Sequence, residues 1–188
     1  MSLKELTIQQ HSNAERQKFA SVLMSGKIPK ISYLRYLVNQ YVCYKALETH
    51  SIFDLPNEKL KRSHNIEKDI NALKQDLKIE EQDMLLVMLT HSTHDYVAHV
   101  KSIKKENDFI AHIYVRYLGD LRGGQIIAKK IPGKGHYYNF EDPKALANAI
   151  YVKLNDNMAE EAKKVFNFAT RLFIEMYEIM IQKNELSI

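Results

Sequence analysis

The spacing of apolar residues predicts helices along nearly the whole chain. Apolar positions recur three and four residues apart, and no alternating run of convincing strand length interrupts them. Glycine, proline or capping residues mark several of the segment ends. The predicted helices cover residues 2–24, 32–50, 57–75, 80–90, 93–106, 108–130, a helix opened by Asp142-Pro143, and 156–183. This pattern predicts an all-α fold with helices packed around a central layer.

Length and composition favour one ordinary globular domain over residues 1–188. Hydrophobic residues make up 45% and charged residues 27%, and we find no repeat, low-complexity tract or long linker. The net charge of +4 is too weak to predict nucleic-acid binding, but it suits a small anionic ligand or an acidic protein partner. No apolar run is long enough to span a membrane, and the first residues do not resemble a secretory signal.

The single cysteine, Cys43, excludes an internal disulfide and favours a reducing compartment. Its aromatic, helical surroundings predict a buried and inert thiol. We therefore expect a cytoplasmic protein without a membrane partner. Nothing in the sequence indicates an obligate dimer, so a monomer is expected.

Three of the six glycines lie in one short window of a predicted helix, Gly119-Asp120-Leu121-Arg122-Gly123-Gly124. A glycine inside a helix costs about 0.5–1 kcal/mol relative to alanine, so three cost roughly 2–3 kcal/mol. A large flat object pressed against the helix backbone, where any β-carbon would clash, explains this cost. A distortion of the helix at this point would let Asp120 face the same object.

His11 is the second candidate for chemistry. It lies on an apolar stripe of the first helix, with a carboxylate, Glu15, one turn further along. The other members of the stripe are Ile8, Phe19 and Val22. A histidine that binds a metal through one ring nitrogen usually needs an acceptor for the other N–H, and Glu15 can be that acceptor. Taken alone, His11 is better explained as a packed or half-exposed side chain than as a metal ligand.

Asp120 is the third candidate, because a carboxylate beside glycines can hold water in a pocket and relay protons. Arg116, four residues earlier, could pair with Asp120 and keep it ionised. Tyr114 precedes it on the same helix, and the Tyr44 hydroxyl on the second long helix could reach the same pocket. A solvated aspartate and a buried core tyrosine are the plainer alternatives.

Two further clusters have weaker interpretations. The stretch from His91 to His99 contains three histidines, but their spacings do not place all three on one helical face, and no cysteine supports a zinc site. The basic residues after the glycine window, Lys129, Lys130, Lys134 and His136, form either a solvated loop or a docking face for an acidic protein.

The glycine window with its flanks, AHIYVRYLGDLRGGQ over residues 111–125, resembles the distal-helix signature of the heme oxygenase family. His11 with Ala14-Glu15 resembles the family's proximal-ligand helix, and residues 41–48, 93–100 and 162–173 resemble further family helices. The resemblance spans almost the whole chain. It implies an all-α fold in which heme lies between a proximal helix and a kinked distal helix.

The resemblance also implies a function and the residues that carry it. Heme b would be both substrate and cofactor, cleaved by O2 and external electrons to biliverdin, carbon monoxide and ferrous iron. A ferredoxin or a similar acidic donor would supply the electrons. His11 would be the axial ligand of the heme iron, tuned by Glu15. The catalytic group would be Asp120, Arg116, Tyr44 and Gly119, and the other heme contacts would be Lys4, Tyr114, Gly123, Gly124 and Phe166.

The chain departs from the family pattern around the heme propionates. The family commonly has serine where this chain has Arg122, and basic residues at the positions of Ala147, Tyr151 and Ile8. Lys4, Lys18 and Lys153 are candidate replacements, with Tyr151 as a hydroxyl donor. These departures leave an alternative function open, namely a heme-binding or heme-carrying protein of the same fold with little turnover. An all-α relative acting on thiamine-type substrates would need an activated cysteine, and Cys43 has no obvious base.

Overall fold

The computed structural model describes residues 2–80 and 89–186, and within them it is helical without strands. The all-α prediction is confirmed, whereas most of the helix predicted over 80–90 lies outside the described residues. The helices are α1 Leu3–Glu15, α2 Lys18–Met24, α3 Lys30–Glu48, α4 Ser63–Leu77, α5 His91–Ser102, α6 Glu106–Arg122, α7 Gly124–Ile127, α8 Pro143–Tyr151 and α9 Ala159–Gln182.

The first predicted helix is in fact two helices. Ser2 caps α1, in a capping box with Glu5. The helix ends after Glu15 because Gln17 adopts an extended backbone and its side-chain amide donates to the Asn13 carbonyl at 2.9 Å. The stripe predicted around His11 is therefore not one continuous face, since Phe19 belongs to α2 and is fully buried. The break lets α1 and α2 each pack separately on α9.

The helix predicted over 108–130 is also interrupted, at the glycine window. α6 ends at Arg122 and the short α7 begins at Gly124. Gly123 itself keeps right-handed helical angles, φ −73° and ψ −32°, and its N–H donates to the Gly119 carbonyl at 2.7 Å. The distortion expected there is present, and it is mild because it needs no left-handed residue.

Several predicted helix ends agree with the structure, and one does not. Gly26, with φ +73°, follows the end of α2 as the expected stop. Asp142 caps α8 by accepting from the Ala145 N–H at 3.1 Å, with Pro143 in the first turn. The helix predicted to begin near residue 57 begins only at Ser63, where Glu48 of α3 accepts from the Ser63 N–H.

The described helices share one hydrophobic core. α9 packs on α1, α2, α5 and α6; α3 packs on α4 and α5; and α8 packs on α6. Only one side of α1 faces this core, through Leu3, Thr7 and Ala14. The side of α1 that carries Ile8, His11 and Glu15 is exposed and lies across an open space from α6. No helix among residues 2–80 and 89–186 is long and apolar enough to cross a membrane.

Gly124 is required by packing inside the protein. A β-carbon built there would lie 2.5 Å from Cδ1 of Tyr138, whose ring is buried and stacked on Tyr137. We expect Gly124→Ala to destabilise the fold by about 1–3 kcal/mol through overpacking, lowering the melting temperature by about 2–10 °C. Gly119→Ala is the matched control, because its β-carbon would meet nothing within 4 Å. Equal melting temperatures in a thermal scan of both variants would contradict this explanation.

Candidate functional site

A slot between α1 and α6 contains most of the residues singled out in the sequence. It has two adjoining chambers of about 380 and 450 Å³, which share His11, Glu15, Val115, Gly119, Gly123 and Phe166 as lining residues. We call the smaller one the Lys4 chamber and the larger one the Asp120 chamber, each after a charged residue that lines that chamber and not the other. Both volumes fall within the roughly 300–1,000 Å³ typical of small-molecule pockets.

His11 is on the α1 wall of the slot. Its side chain is 46% exposed, and its Nε2 lies 3.4 Å from Oε1 of Glu15, one helical turn away. The edge of the His11 ring meets the Phe166 ring of α9, with the two centroids 5.3 Å apart. The imidazole thus packs against an aromatic ring and has a carboxylate near its Nε2. When one ring nitrogen donates to such a carboxylate, the other can bind a metal ion.

The opposite wall is bare backbone at two of the three glycines. Gly119 and Gly123 line both chambers and are exposed to them. Because no atom beyond its chain neighbours and the nearby backbone of its own helix lies within 4 Å of a β-carbon built at Gly119, packing against the rest of the described chain does not require glycine there. A flat ligand against this wall does require it. Gly124 was expected on the same wall, but it is buried against Tyr138 and does not line either chamber.

Asp120 faces its chamber beneath two tyrosine hydroxyls. The Tyr44 hydroxyl donates to Oδ2 in a short hydrogen bond, and the Tyr137 hydroxyl lies 3.3 Å from Oδ1. Burial raises the pKa of Asp120 to about 7, even though these hydrogen bonds and the charges of Arg116 and Arg62 lower it. The carboxyl can therefore both release and accept a proton near neutral pH.

The suggested pairing of Arg116 with Asp120 is wrong. Nη1 of Arg116 instead donates to Oε1 of Gln40 at 2.8 Å, and the guanidinium lies 4.1 Å from the centroid of the Tyr96 ring. Gln40 of α3 accepts from Nη1, and the rings of Tyr44 and Tyr96 lie beside the guanidinium, whereas its Nε is buried without a hydrogen-bond partner in the described part of the chain. Arg116 still lines the Asp120 chamber, and it acts on the carboxyl through its charge.

The Lys4 chamber collects the basic and hydroxyl groups that could hold anionic substituents. Lys4, Arg122, Tyr114 and Tyr151 line it, and the Arg122 guanidinium lies 5.1 Å from the centroid of the Tyr151 ring. The other candidates lie elsewhere: Lys18 packs over the Tyr177 ring, and Lys153 pairs with Glu106. The structure therefore keeps Lys4 and the Tyr151 hydroxyl from the set of candidate replacements and adds Arg122 to it.

The slot fits heme: an imidazole faces a helix whose backbone is bare at Gly119 and Gly123, and two cations, Lys4 and Arg122, line one chamber. The family model described as heme oxygenase matches residues 1–175. The chain belongs to the heme oxygenase family. Oxidative cleavage of heme is the activity of this family.

Individual heme oxygenases agree with the assignment. The chain is 33% identical to a heme oxygenase of Guillardia theta over 168 residues, covering 87% of this chain and 70% of that protein. It is 30% identical to heme oxygenase 1 of Synechocystis, covering 93% and 82%. The crystal structure of Synechocystis heme oxygenase-1 in complex with heme superposes with a TM-score of 0.79 at 25% identity, covering 96% and 93% of the two chains. The Leptospira interrogans enzyme gives 0.78 at 27% identity, covering 93% and 100%.

Sequence reasoning missed Tyr137 as a site residue of this heme oxygenase family member. The residue lies in a segment read only as a loop, residues 132–139, which contains a 3-10 turn over His136–Tyr138. Backbone N–H groups of His136 and Tyr137 donate to the buried carboxylate of Asp69, at 3.0 and 2.8 Å, and fix the turn. The consecutive aromatic pair Tyr137-Tyr138 was the available signal, since two adjacent aromatic residues in a polar loop usually pack inward.

Tyr137→Phe is expected to slow heme cleavage by about 2–10-fold, which corresponds to the loss of one hydrogen bond of about 0.5–1.5 kcal/mol. The ring and its stacking on Tyr138 remain, so the fold and heme affinity should not change. Losing a donor to the carboxylate also raises the Asp120 pKa above its value of about 7. Single-turnover rates across pH measure both effects. Tyr138→Phe is the control, and an equal slowing in that variant would contradict the role of Tyr137.

Proposed function

We propose that this chain cleaves heme b with O2 and external electrons to give biliverdin, carbon monoxide and ferrous iron. The observation that carries the proposal is the slot itself, where His11 faces the bare backbone of Gly119 and Gly123 with Asp120 beside it. The bound heme supplies an iron centre that can be reduced and can activate O2. The remaining chemistry is positioning and proton transfer, which the protein's residues provide.

His11 holds the heme by its iron, and Glu15 keeps the imidazole oriented along the axis of the slot. Phe166 packs against the edge of His11 and limits its rotation. On the other wall, Gly119 and Gly123 leave room for a small ligand between backbone and porphyrin. Tyr114 lines the Lys4 chamber and bounds that space laterally.

Asp120 is the proton-handling group of the proposal. A carboxyl with a pKa near 7 can hold a proton and pass it to water ordered above the heme. Tyr44 and Tyr137 fix the orientation of the carboxyl, since each donates to a different oxygen. Arg116 keeps positive charge beside it without occupying either oxygen. These four residues would supply protons at the place where the heme iron activates oxygen. None of the four is itself a redox centre.

The alternative of a heme carrier with little turnover is supported only by the altered propionate contacts. Absorption spectroscopy decides between the two functions. Hemin is titrated into the protein, which is then reduced without oxygen and exposed to O2 with a ferredoxin reducing system, with catalase present to remove free peroxide. A sharp Soret band that decays into a broad biliverdin band supports turnover. A Soret band that persists as a stable oxygenated complex identifies a carrier and rejects the proposed function.

Lys4 and Arg122 are expected to hold the heme propionates and set the in-plane rotation of the heme. Each charge-assisted contact contributes about 1–3 kcal/mol to binding, so Lys4→Ala and Arg122→Ser should each weaken hemin affinity about 5–150-fold. A change in the mixture of biliverdin isomers, separated by chromatography, should accompany the loss. Lys18→Ala, outside the slot, is the control. Unchanged affinity and isomers in both slot variants would place the propionates elsewhere.

We also propose a cytoplasmic ferredoxin-type protein as the electron donor. Lys129, Lys130 and Lys134 are exposed and form no salt bridge with any residue in the described ranges. They follow α7 directly, and Ile126 and Ile127 of α7 line the Asp120 chamber. An acidic donor docked on this basic corner would therefore approach the slot, and its reaction rate should fall as ionic strength rises.

A further inference from the structure

A second cluster of ligand-type side chains lies outside the slot, where α5, α6 and α9 meet. His99, His112 and Glu161 come from these three helices, and each offers one ligand atom. All three atoms lie within 4.8 Å of one another. In the part of the chain that the structure describes, no other group of three His, Cys, Asp or Glu side chains converges in this way.

We propose that His99, His112 and Glu161 bind one divalent transition-metal ion of the Zn²⁺ class, at a site separate from the heme. Two imidazoles and one carboxylate are a donor set that Zn²⁺ takes in proteins, with a fourth position left for water. The proposal does not depend on heme binding or turnover. It differs from the zinc site considered in the sequence, because only His99 of the α5 histidines takes part.

The two oxygens of Glu161 have different surroundings, which suits binding through one of them. Nε2 of His99 and Nε2 of His112 both point at Oε1, the second at 3.1 Å. Lys164 donates to the other oxygen, Oε2, at 2.9 Å. A ligating carboxylate is usually held by such an outer hydrogen bond.

His112 is completely buried, and a hydrogen bond to its second ring nitrogen orients the imidazole. Its Nδ1 lies 2.8 Å from the Tyr96 hydroxyl, which can donate or accept. The ring can therefore carry its proton on Nδ1 and present the lone pair of Nε2 to an ion, without losing the Tyr96 hydrogen bond.

His99 provides the path from solvent. Its side chain is 26% exposed, whereas the side chains of Glu161 and His112 are 6% and 0% exposed. An entering ion would replace the hydrogen bonds to Oε1, and the displaced imidazole proton would leave to solvent past His99. Lys164 and Arg116 add positive charge nearby, while Glu160 and Asp108 act on Lys164 with the opposite sign. These charges reduce the affinity without removing any ligand.

Cobalt titration of the heme-free full-length chain tests the proposal, because Co²⁺ bound to nitrogen and oxygen ligands absorbs visible light. We expect one Co²⁺ per chain, displaced by Zn²⁺, and a melting temperature that rises by about 5–10 °C at Zn²⁺ a hundredfold above its dissociation constant. His99→Gln should weaken Co²⁺ binding at least tenfold and abolish the temperature rise. His94→Gln, an exposed histidine on the same helix, should behave as the unchanged protein.

Two more variants close the remaining gaps. His11→Ala removes the histidine of the heme slot, and retention of Co²⁺ binding in it separates the two sites. Glu161→Gln keeps the shape of the side chain and should lose binding as His99→Gln does, with helicity checked by circular dichroism. The proposal is overturned if the unchanged protein binds no Co²⁺, or if His99→Gln binds it as tightly as His94→Gln. If the unchanged protein binds no Co²⁺, the cluster only links the three helices through hydrogen bonds.

Discussion

Asp120→Asn is expected to reduce biliverdin formation by at least about a hundredfold while hemin binding stays within about threefold of the unchanged protein. General acid–base groups contribute about 10²–10⁴-fold to rate, and Asp120 is the residue proposed to handle protons in the slot. Asparagine keeps the shape and can still accept from Tyr44, but it cannot carry a proton at the carboxyl. Hemin titration and single-turnover absorption measurements separate binding from chemistry.

The pH dependence sharpens this prediction. Below a pKa of about 7 the Asp120 carboxyl is protonated and can give up its proton, and above that value it is a carboxylate. The single-turnover rate should therefore fall as pH rises through about 7, and the profile of Asp120→Asn should be flat over the same range. Asp108→Asn, at the start of the same helix, is the control. A normal rate in Asp120→Asn, or an unchanged inflection, would remove Asp120 from the mechanism.

His11→Ala is expected to have the second large effect, because it removes the residue proposed to bind the heme iron. Removing even an outer-shell partner of a metal ligand costs about 10–100-fold in affinity or activity, so loss of the ligand itself should cost more than about tenfold. The Soret band and the electron paramagnetic resonance signal of ferric heme should change together. Added imidazole should restore part of both, because the ring can enter the space that the side chain leaves.

Two variants give this test its controls. Glu15→Gln removes the carboxylate 3.4 Å from His11 and should weaken heme binding or turnover about 10–100-fold while the axial-ligand spectrum is kept. His64→Ala removes another histidine that has a carboxylate one turn along, since its Nδ1 lies 3.8 Å from Oε2 of Glu67 on the exposed side of α4. His64→Ala should leave heme binding intact. An unchanged axial-ligand spectrum in His11→Ala would mean that another residue binds the iron.

Local sequence patterns were enough to predict the fold class and the glycine-bearing wall of the site. Periodicity identified the helices, and it erred where a side chain competed for backbone hydrogen bonds, as Gln17 does at the end of α1. The glycine window predicted a bare helix wall, because the cost of glycine in a helix is a local property. Gly119 has the open space that this prediction requires. Gly124 is instead required because a β-carbon there would clash with the Tyr138 ring, a contact that no local sequence pattern reveals.

Partners from distant parts of the chain depended on packing. The spacing of Arg116 and Asp120 suggests that they pair, but Nη1 of Arg116 donates to Gln40 of α3 instead. The hydroxyl of Tyr137, which lies in a loop, donates to Asp120. His99, His112 and Glu161 meet only because α5, α6 and α9 cross.

Residue types, helical spacing and family signature are local properties, so the sequence alone supports an all-α heme oxygenase with His11 and Asp120 as the residues to test. Which hydroxyls, cations and imidazoles meet is a property of helix packing, because side chains far apart along the chain become neighbours only when their helices are in contact. The tertiary structure was therefore needed to find the Tyr137 contact, the revised set of candidate propionate partners and the candidate second metal site.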